Sequence, residues 1–132
     1  MSVVVGYVAT AEGDAALTAA VEEVRRRGGR LVVVLSERSS RFGSEPGALE
    51  EQVEEVRRRL DEADVPYDVR QTVRGRDVAD DIISAAESSG GELIVMGLRR
   101  RSPVGKLILG SNAQRILLDA PCPVLAVKPV RT

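Results

Sequence analysis

A chain of 132 residues with 19 Lys+Arg against 20 Asp+Glu, net charge −1, suits one domain, residues 1–132, that buries roughly two-thirds of its unfolded surface; it lacks the basic footprint of a duplex binder. With 43% apolar and 30% charged residues the composition is that of a soluble protein, and no apolar run nears the roughly 20 residues of a membrane span. There is no His and no Trp, and Tyr7, Phe42 and Tyr67 are its only rings, which excludes Ser-His-Asp and Cys-His catalysis, His-ligated zinc or copper, and a stacking platform for single strands.

The start, Met1-Ser2-Val3-Val4-Val5-Gly6, lacks the basic region of a signal peptide, so a cytoplasmic protein is expected. Residues 3–8 are nearly all apolar, the pattern of a strand buried on both faces. Thr10 or Asp14 can cap a first helix, whose Ala16, Leu17, Ala20, Val21 and Val24 fall on one stripe. Arg25-Arg26-Arg27 suit its carboxyl-terminal dipole as a solvated helix end, and Gly28-Gly29 stop it. Leu31-Val32-Val33-Val34-Leu35 is a second buried strand, followed by a long polar connection from Ser36 to Glu45. Pro46 opens a second helix with Leu49, Val53, Val56 and Leu60 inward. Its Glu50-Glu51, Glu54-Glu55 and Arg57-Arg58-Arg59 read as a solvated face rather than an acid/base couple.

Residues 67–73 alternate apolar and polar, which predicts one buried face and an edge position in a sheet. Asp77 can cap a third helix with Val78, Ile82, Ile83 and Ala86 inward, ended between Ser88 and Gly91. Leu93-Ile94-Val95-Met96 is a fourth strand. A glycine- and arginine-rich loop is expected from Gly97 to Gly110. Ser111-Asn112-Ala113-Gln114 then forms a capping-box pattern with Ser111 as the N-cap of a fourth helix. Ala120-Pro121-Cys122-Pro123 breaks that helix, and Val124-Leu125-Ala126-Val127 is the last strand. Cys122, the sole cysteine, reads as a small apolar residue with no resolving partner.

Strands alternating with helices predict an α/β fold: a five-stranded parallel sheet with helices on both faces and right-handed crossovers. With the alternating strand at one edge and the last strand at the other, the order is 3-2-1-4-5. The chain then reverses direction between strands 1 and 4, where ligands bind beyond the strands' carboxyl ends. Strand 1 delivers Tyr7-Val8-Ala9-Thr10 to that crevice and strand 4 delivers Met96-Gly97-Leu98-Arg99-Arg100-Arg101. Glycines, cations and a helix start at Ser111 favour a phosphate there; the plainer alternative is a helix cap beside a basic loop. No Walker A spacing is present.

Over essentially its whole length, from Val3-Val4-Val5-Gly6 to Pro123-Val124-Leu125-Ala126-Val127-Lys128, the sequence resembles the universal stress protein family. The most specific stretch is Ile94-Val95-Met96-Gly97 through Leu107-Ile108-Leu109-Gly110-Ser111, then Ala120-Pro121-Cys122-Pro123-Val124-Leu125. The resemblance implies a Rossmann-like fold of the adenine nucleotide alpha hydrolase type and an adenine nucleotide ligand (ATP, AMP or cyclic AMP), with or without Mg. The family's nucleotide-binding members carry glycine, two residues, glycine, nine residues, then glycine followed by Ser or Thr. Gly97, Gly110 and Ser111 fit that spacing, and Arg100 replaces the middle glycine. Such members also end strand 1 in an aspartate that meets the adenine and ribose. Val8 stands at that position here, followed by Ala9-Thr10 rather than Gly-Ser. Arg100 gives up close backbone approach but adds a guanidinium able to pair with phosphate, and Val8 keeps an apolar wall.

The resemblance thus implies phosphates against Gly97, Gly110, Ser111 and Asn112, with Arg99 or Arg100 close by. The base is expected at Val8-Ala9 and Ser36, with Met96 completing the site. It also implies a homodimer through the last strand, and Val124, Leu125, Ala126 and Val127 supply an independent reason, since an open apolar edge invites a second chain. Two readings compete: a cytoplasmic, dimeric nucleotide sensor acting on an unidentified regulatory protein, and an interaction module that binds no nucleotide. Neither nucleic acid nor membrane is an expected partner. At most slow ATP hydrolysis is expected, because no general base or carboxylate cluster stands near the loop.

Overall fold

A computed structural model describes residues 1–8, 10–35, 48–71, 77–101, 106–108 and 110–129, with the backbone alone at 48, 49, 100, 101 and 106–108. In chain order the elements are β1 (Ser2–Tyr7), α1 (Ala11–Arg27), β2 (Arg30–Leu35), α2 (Ala48–Ala63), β3 (Tyr67–Gln71), α3 (Val78–Ser89), β4 (Gly91–Gly97), β5 (Arg99–Arg101), β6 (Lys106–Ile108), α4 (Ser111–Asp119) and β7 (Val124–Val127). Five strands form one sheet in the order β3-β2-β1-β4-β7, every pair of them parallel. The expected order is therefore the observed one, with β7 as the fifth strand.

The period-two geometry of strands sorts the core into two layers. Val3, Val5, Tyr7, Leu31, Val33, Leu35, Leu93 and Val95 face α1 and α2. Val4, Val32, Val34, Ile94 and Met96 face α3 and α4. Leu17, Leu31, Leu35 and Leu60 are fully buried, each contributing about 1.5–3 kcal/mol over an exposed leucine. Both faces of β1 are thus apolar and covered, which is why its sequence shows no alternation.

Helix ends explain where the chain turns. Thr10 Oγ1 accepts the Gly13 N–H at 3.2 Å and caps α1. At the other end the Gly28 N–H donates to Val24 O at 2.7 Å, and Gly28 and Gly29 take φ of 79° and 93°, open only to glycine at low cost. Of the three arginines before them, Arg25 is not merely solvated: it donates to the Ala63 carbonyl at the end of α2, 2.6 Å away.

The structure corrects several sequence expectations. The stretch 97–110 is not all loop, because β5 and β6 pair antiparallel with Arg99 opposite Ile108 and Arg101 opposite Lys106. Ser111 is the first helical residue of α4 rather than its cap; Gly110, extended at φ −71° and ψ 171°, occupies the cap and offers no side-chain bond. Asp77 sits at the cap of α3 without a side-chain cap bond; its carboxylate instead meets Arg115 on α4 at 3.4 Å. In α3, Ala79 and Ala85 join Ile82 and Ala86 in the core, whereas Ile83 is only half-buried. Gln52, one turn before the inward Val56 of α2 and not among the expected core positions, is 2% exposed. The connection 36–45, Pro46, and Thr72-Val73 at the end of the predicted third strand lie outside the described residues.

Candidate functional site

At the carboxyl ends of β1 and β4, where the connections part in opposite directions, the described residues enclose a pocket of about 450 Å³. Its floor is the strand ends: Gly6 and Tyr7 of β1 with Val8 after it, and Met96 and Gly97 of β4. One wall is the first turn of α1 with Glu12 and Gly13, and the opposite wall is the start of α4 with Gly110, Ser111, Asn112, Ala113 and Ile116. Val78 and Ile82 of α3 supply an apolar side, and Arg99 stands at the head of β5.

Three helix N-termini border the pocket, those of α1, α3 and α4, and the ends of α1 and α4 differ. That of α1 is closed internally by the Thr10 hydroxyl and by close approach to β1: a Cβ on Gly13 would lie 1.7 Å from Val8 O. That of α4 begins at a glycine with no side-chain cap, and a Cβ on Gly110 would meet no described atom within 4 Å. The first intrahelical bond of α4 is donated by Gln114 to Gly110 O at 3.0 Å. The N–H groups before it are the donors an α-helix leaves without an intrahelical partner, and they border the pocket. An uncapped helix start beside open space is an anion site by its dipole and its donors.

The surroundings hold this geometry. Gly97 lies under α1, since a Cβ there would stand 2.1 Å from Glu12 O. Tyr7, 1% exposed, donates its hydroxyl to Asp14 Oδ1 at 3.0 Å, and Arg59 of α2 donates to the same oxygen at 2.9 Å, tying the pocket floor to both helices of one layer. On the other layer Arg115 joins α4 to α3 through Asp77 and Asp80. Arg99 Nε sits 3.8 Å from Glu12 Oε1.

Of the residues expected at the site, Val8, Met96, Gly97, Arg99, Gly110, Ser111 and Asn112 line this one pocket. Ala9 and Ser36 lie outside the described residues. Arg100 is described by its backbone, paired with Leu107 in the β5–β6 ribbon. Glu12, Gly13, Val78 and Ile82 were not anticipated; the signal for Glu12 and Gly13 was their place in the first turn after strand 1, at the crevice end of the sheet. Cys122 is half-buried, away from the pocket lining, and burial pushes its thiol above the ordinary value, which leaves it a poor nucleophile.

The sequence profile of the Universal stress protein family matches residues 1–128. A universal stress protein of Mycolicibacterium smegmatis is 42% identical over 127 residues, 96% of this chain and 97% of that one. A universal stress protein structure from Archaeoglobus fulgidus, 30% identical, has a TM-score of 0.79 and covers 97% of this chain and 98% of its own. The structure of the universal stress protein from Archaeoglobus fulgidus in complex with dAMP is 25% identical, with a TM-score of 0.75 over 97% of this chain and 98% of its own.

Proposed function

The chain belongs to the universal stress protein family, and on that premise we propose that it binds an adenine nucleotide in the β1–β4 crevice and acts as a dimeric, cytoplasmic sensor or regulator of a stress response. The observation that carries this reading is the uncapped start of α4 bordering a pocket with an apolar side of Val78 and Ile82. Donor groups at one end and an apolar wall of Val8, Val78, Ile82 and Met96 at the other suit a ligand with a phosphate and a base. The dAMP complex of the Archaeoglobus relative supports it. The reading is of a binder rather than an enzyme, since Glu12 is the one carboxylate among the described lining residues. Among the described residues no group of three His, Cys, Asp or Glu could hold a metal, so Mg would arrive on the ligand's phosphates.

Calorimetry with ATP, AMP and cyclic AMP, with and without Mg, tests the reading. A ligand at 100 times its Kd stabilises the native state by about 2.7 kcal/mol, so the same ligand must also raise Tm. No binding at millimolar ligand overturns the sensor and leaves the interaction module. Leu117 and Leu118 on α4, 43% and 83% exposed, are the observation that favours that second reading. Arg100→Gly, which restores the family's middle glycine, distinguishes two roles: affinity falls about tenfold if the guanidinium contacts phosphate and rises if it obstructs close approach.

The homodimer is proposed through β7, an edge strand of the sheet on which Leu125 and Ala126 are exposed. Leu125→Lys is expected to raise the dimer dissociation constant at least tenfold by placing a charge in an apolar contact. Sedimentation reads this directly, and a wild-type monomer at micromolar concentration ends the dimer proposal.

A further inference from the structure

We propose that Glu12 makes the pocket selective for ligand charge, favouring a nucleotide with one phosphate over one with three. The proposal rests on the nucleotide reading above and assigns a role to a residue which that reading does not use.

Among the described lining residues Glu12 is the only acid and Arg99 the only base, so those side chains present no net charge to a ligand. Backbone contacts pin Glu12 in place. Its carbonyl oxygen and its Cβ lie 2.1 Å and 3.0 Å from where a Gly97 Cβ would be. The next residue, Gly13, is pressed as closely on Val8. The Glu12 backbone therefore cannot withdraw from a ligand that fills the crevice.

The two charges are unequally placed. The Glu12 side chain is 24% exposed and that of Arg99 is 79% exposed, so the acid is set into the pocket and the base stands at its rim. A 3.8 Å pair with one partner largely in water contributes little stability. Arg99 can therefore exchange the carboxylate for a phosphate at small cost. The first phosphate gains the N–H donors of α4 and the released guanidinium. Every further phosphate brings more negative charge into the crevice that the Glu12 carboxylate lines. Repulsion between unit charges a few ångströms apart in a partly solvated pocket is large enough to reorder affinities.

The test is calorimetry on wild type, Glu12→Gln and Glu12→Asp with adenosine, AMP and ATP, in EDTA so that ligand charges are defined. Wild type is expected to bind AMP more tightly than ATP. Glu12→Gln is expected to gain ~10-fold for ATP, ~3-fold for AMP and nothing for adenosine, with the gains shrinking as salt rises. Glu12→Asp keeps the charge on a shorter arm and falls between. Equal gains for all three ligands, or none, overturn the charge role while leaving nucleotide binding intact. Wild type binding none of the three overturns the nucleotide reading and this proposal with it.

Discussion

Gly13→Ala is expected to lower stability by about 3 kcal/mol or more, the upper end of the cost of overpacking, and to lower Tm by about 10 °C or more. The added Cβ would stand 1.7 Å from Val8 O, 2.8 Å from its carbonyl carbon and 3.0 Å from its nitrogen. These are backbone atoms, and Val8 O is already held by the Thr10 N–H at 2.8 Å, so no side chain can swing aside. Relief requires lifting the first turn of α1 off the end of β1, which also breaks the bond from Gly13 N–H to Thr10. Gly97→Ala meets the same helix from the other strand, 2.1 Å from Glu12 O, and is expected to cost a similar amount. Thermal or urea melts read both. An unchanged midpoint for Gly13→Ala would mean that α1 does not rest on β1 as described.

Gly110→Val is expected to behave differently, with a melt lowered only by the roughly 1 kcal/mol that valine costs at a helix cap and about a 100-fold loss of nucleotide affinity. Its φ of −71° and ψ of 171° suit any residue, and a Cβ meets no described atom within 4 Å, so the fold has no need of glycine there. The cost falls on the ligand, because an isopropyl group at the cap stands before the donors of α4. Losing charge-assisted hydrogen bonds worth about 1.5–3 kcal/mol accounts for one to two orders of magnitude in Kd. Retained affinity would show that phosphate does not approach α4 along this line, and a stability loss well beyond about 1 kcal/mol would show that Gly110 is structural after all.

Much of this architecture was legible because strands and helices impose different periods on apolar residues. The doubly apolar runs at Val3-Val4-Val5 and Leu31–Leu35 could only be central, and the alternation from Tyr67 could only be an edge. What escaped the sequence were features set by tertiary approach. The β5–β6 ribbon has three residues a strand, too short for a periodic signal, and its arginines are poor strand formers that pairing overrides. Ser111 looked like a cap because Gln114 follows it at capping-box spacing, yet the helix starts one residue earlier than that pattern implies, with Gly110 at the cap. Gly13 was visible as a glycine inside a helix, a position that costs about 1 kcal/mol against alanine and so wants a reason. The reason, Val8 O, is a contact between backbones that no side-chain pattern records. Glu12 reads on its own as an ordinary acidic residue in a first turn, and its meaning comes from Arg99, far away in the chain.

The central place of β1 has a consequence for how the chain is made. β1 pairs with β2 on one side and with β4 on the other, so its neighbours arrive at very different times during synthesis. Once Gln71 has been added, β1, β2 and β3 can assemble with α1 over one face. The second edge of β1 must then wait, unpaired and valine-rich, for Gly91–Gly97 to emerge. For that interval the nascent half-sheet presents the very edge that the finished protein buries deepest. An exposed apolar strand edge is a template for pairing between chains. The ribosome-bound intermediate therefore has an edge open to self-association that the mature fold lacks, and slowing translation between residues 71 and 97 lengthens that exposure.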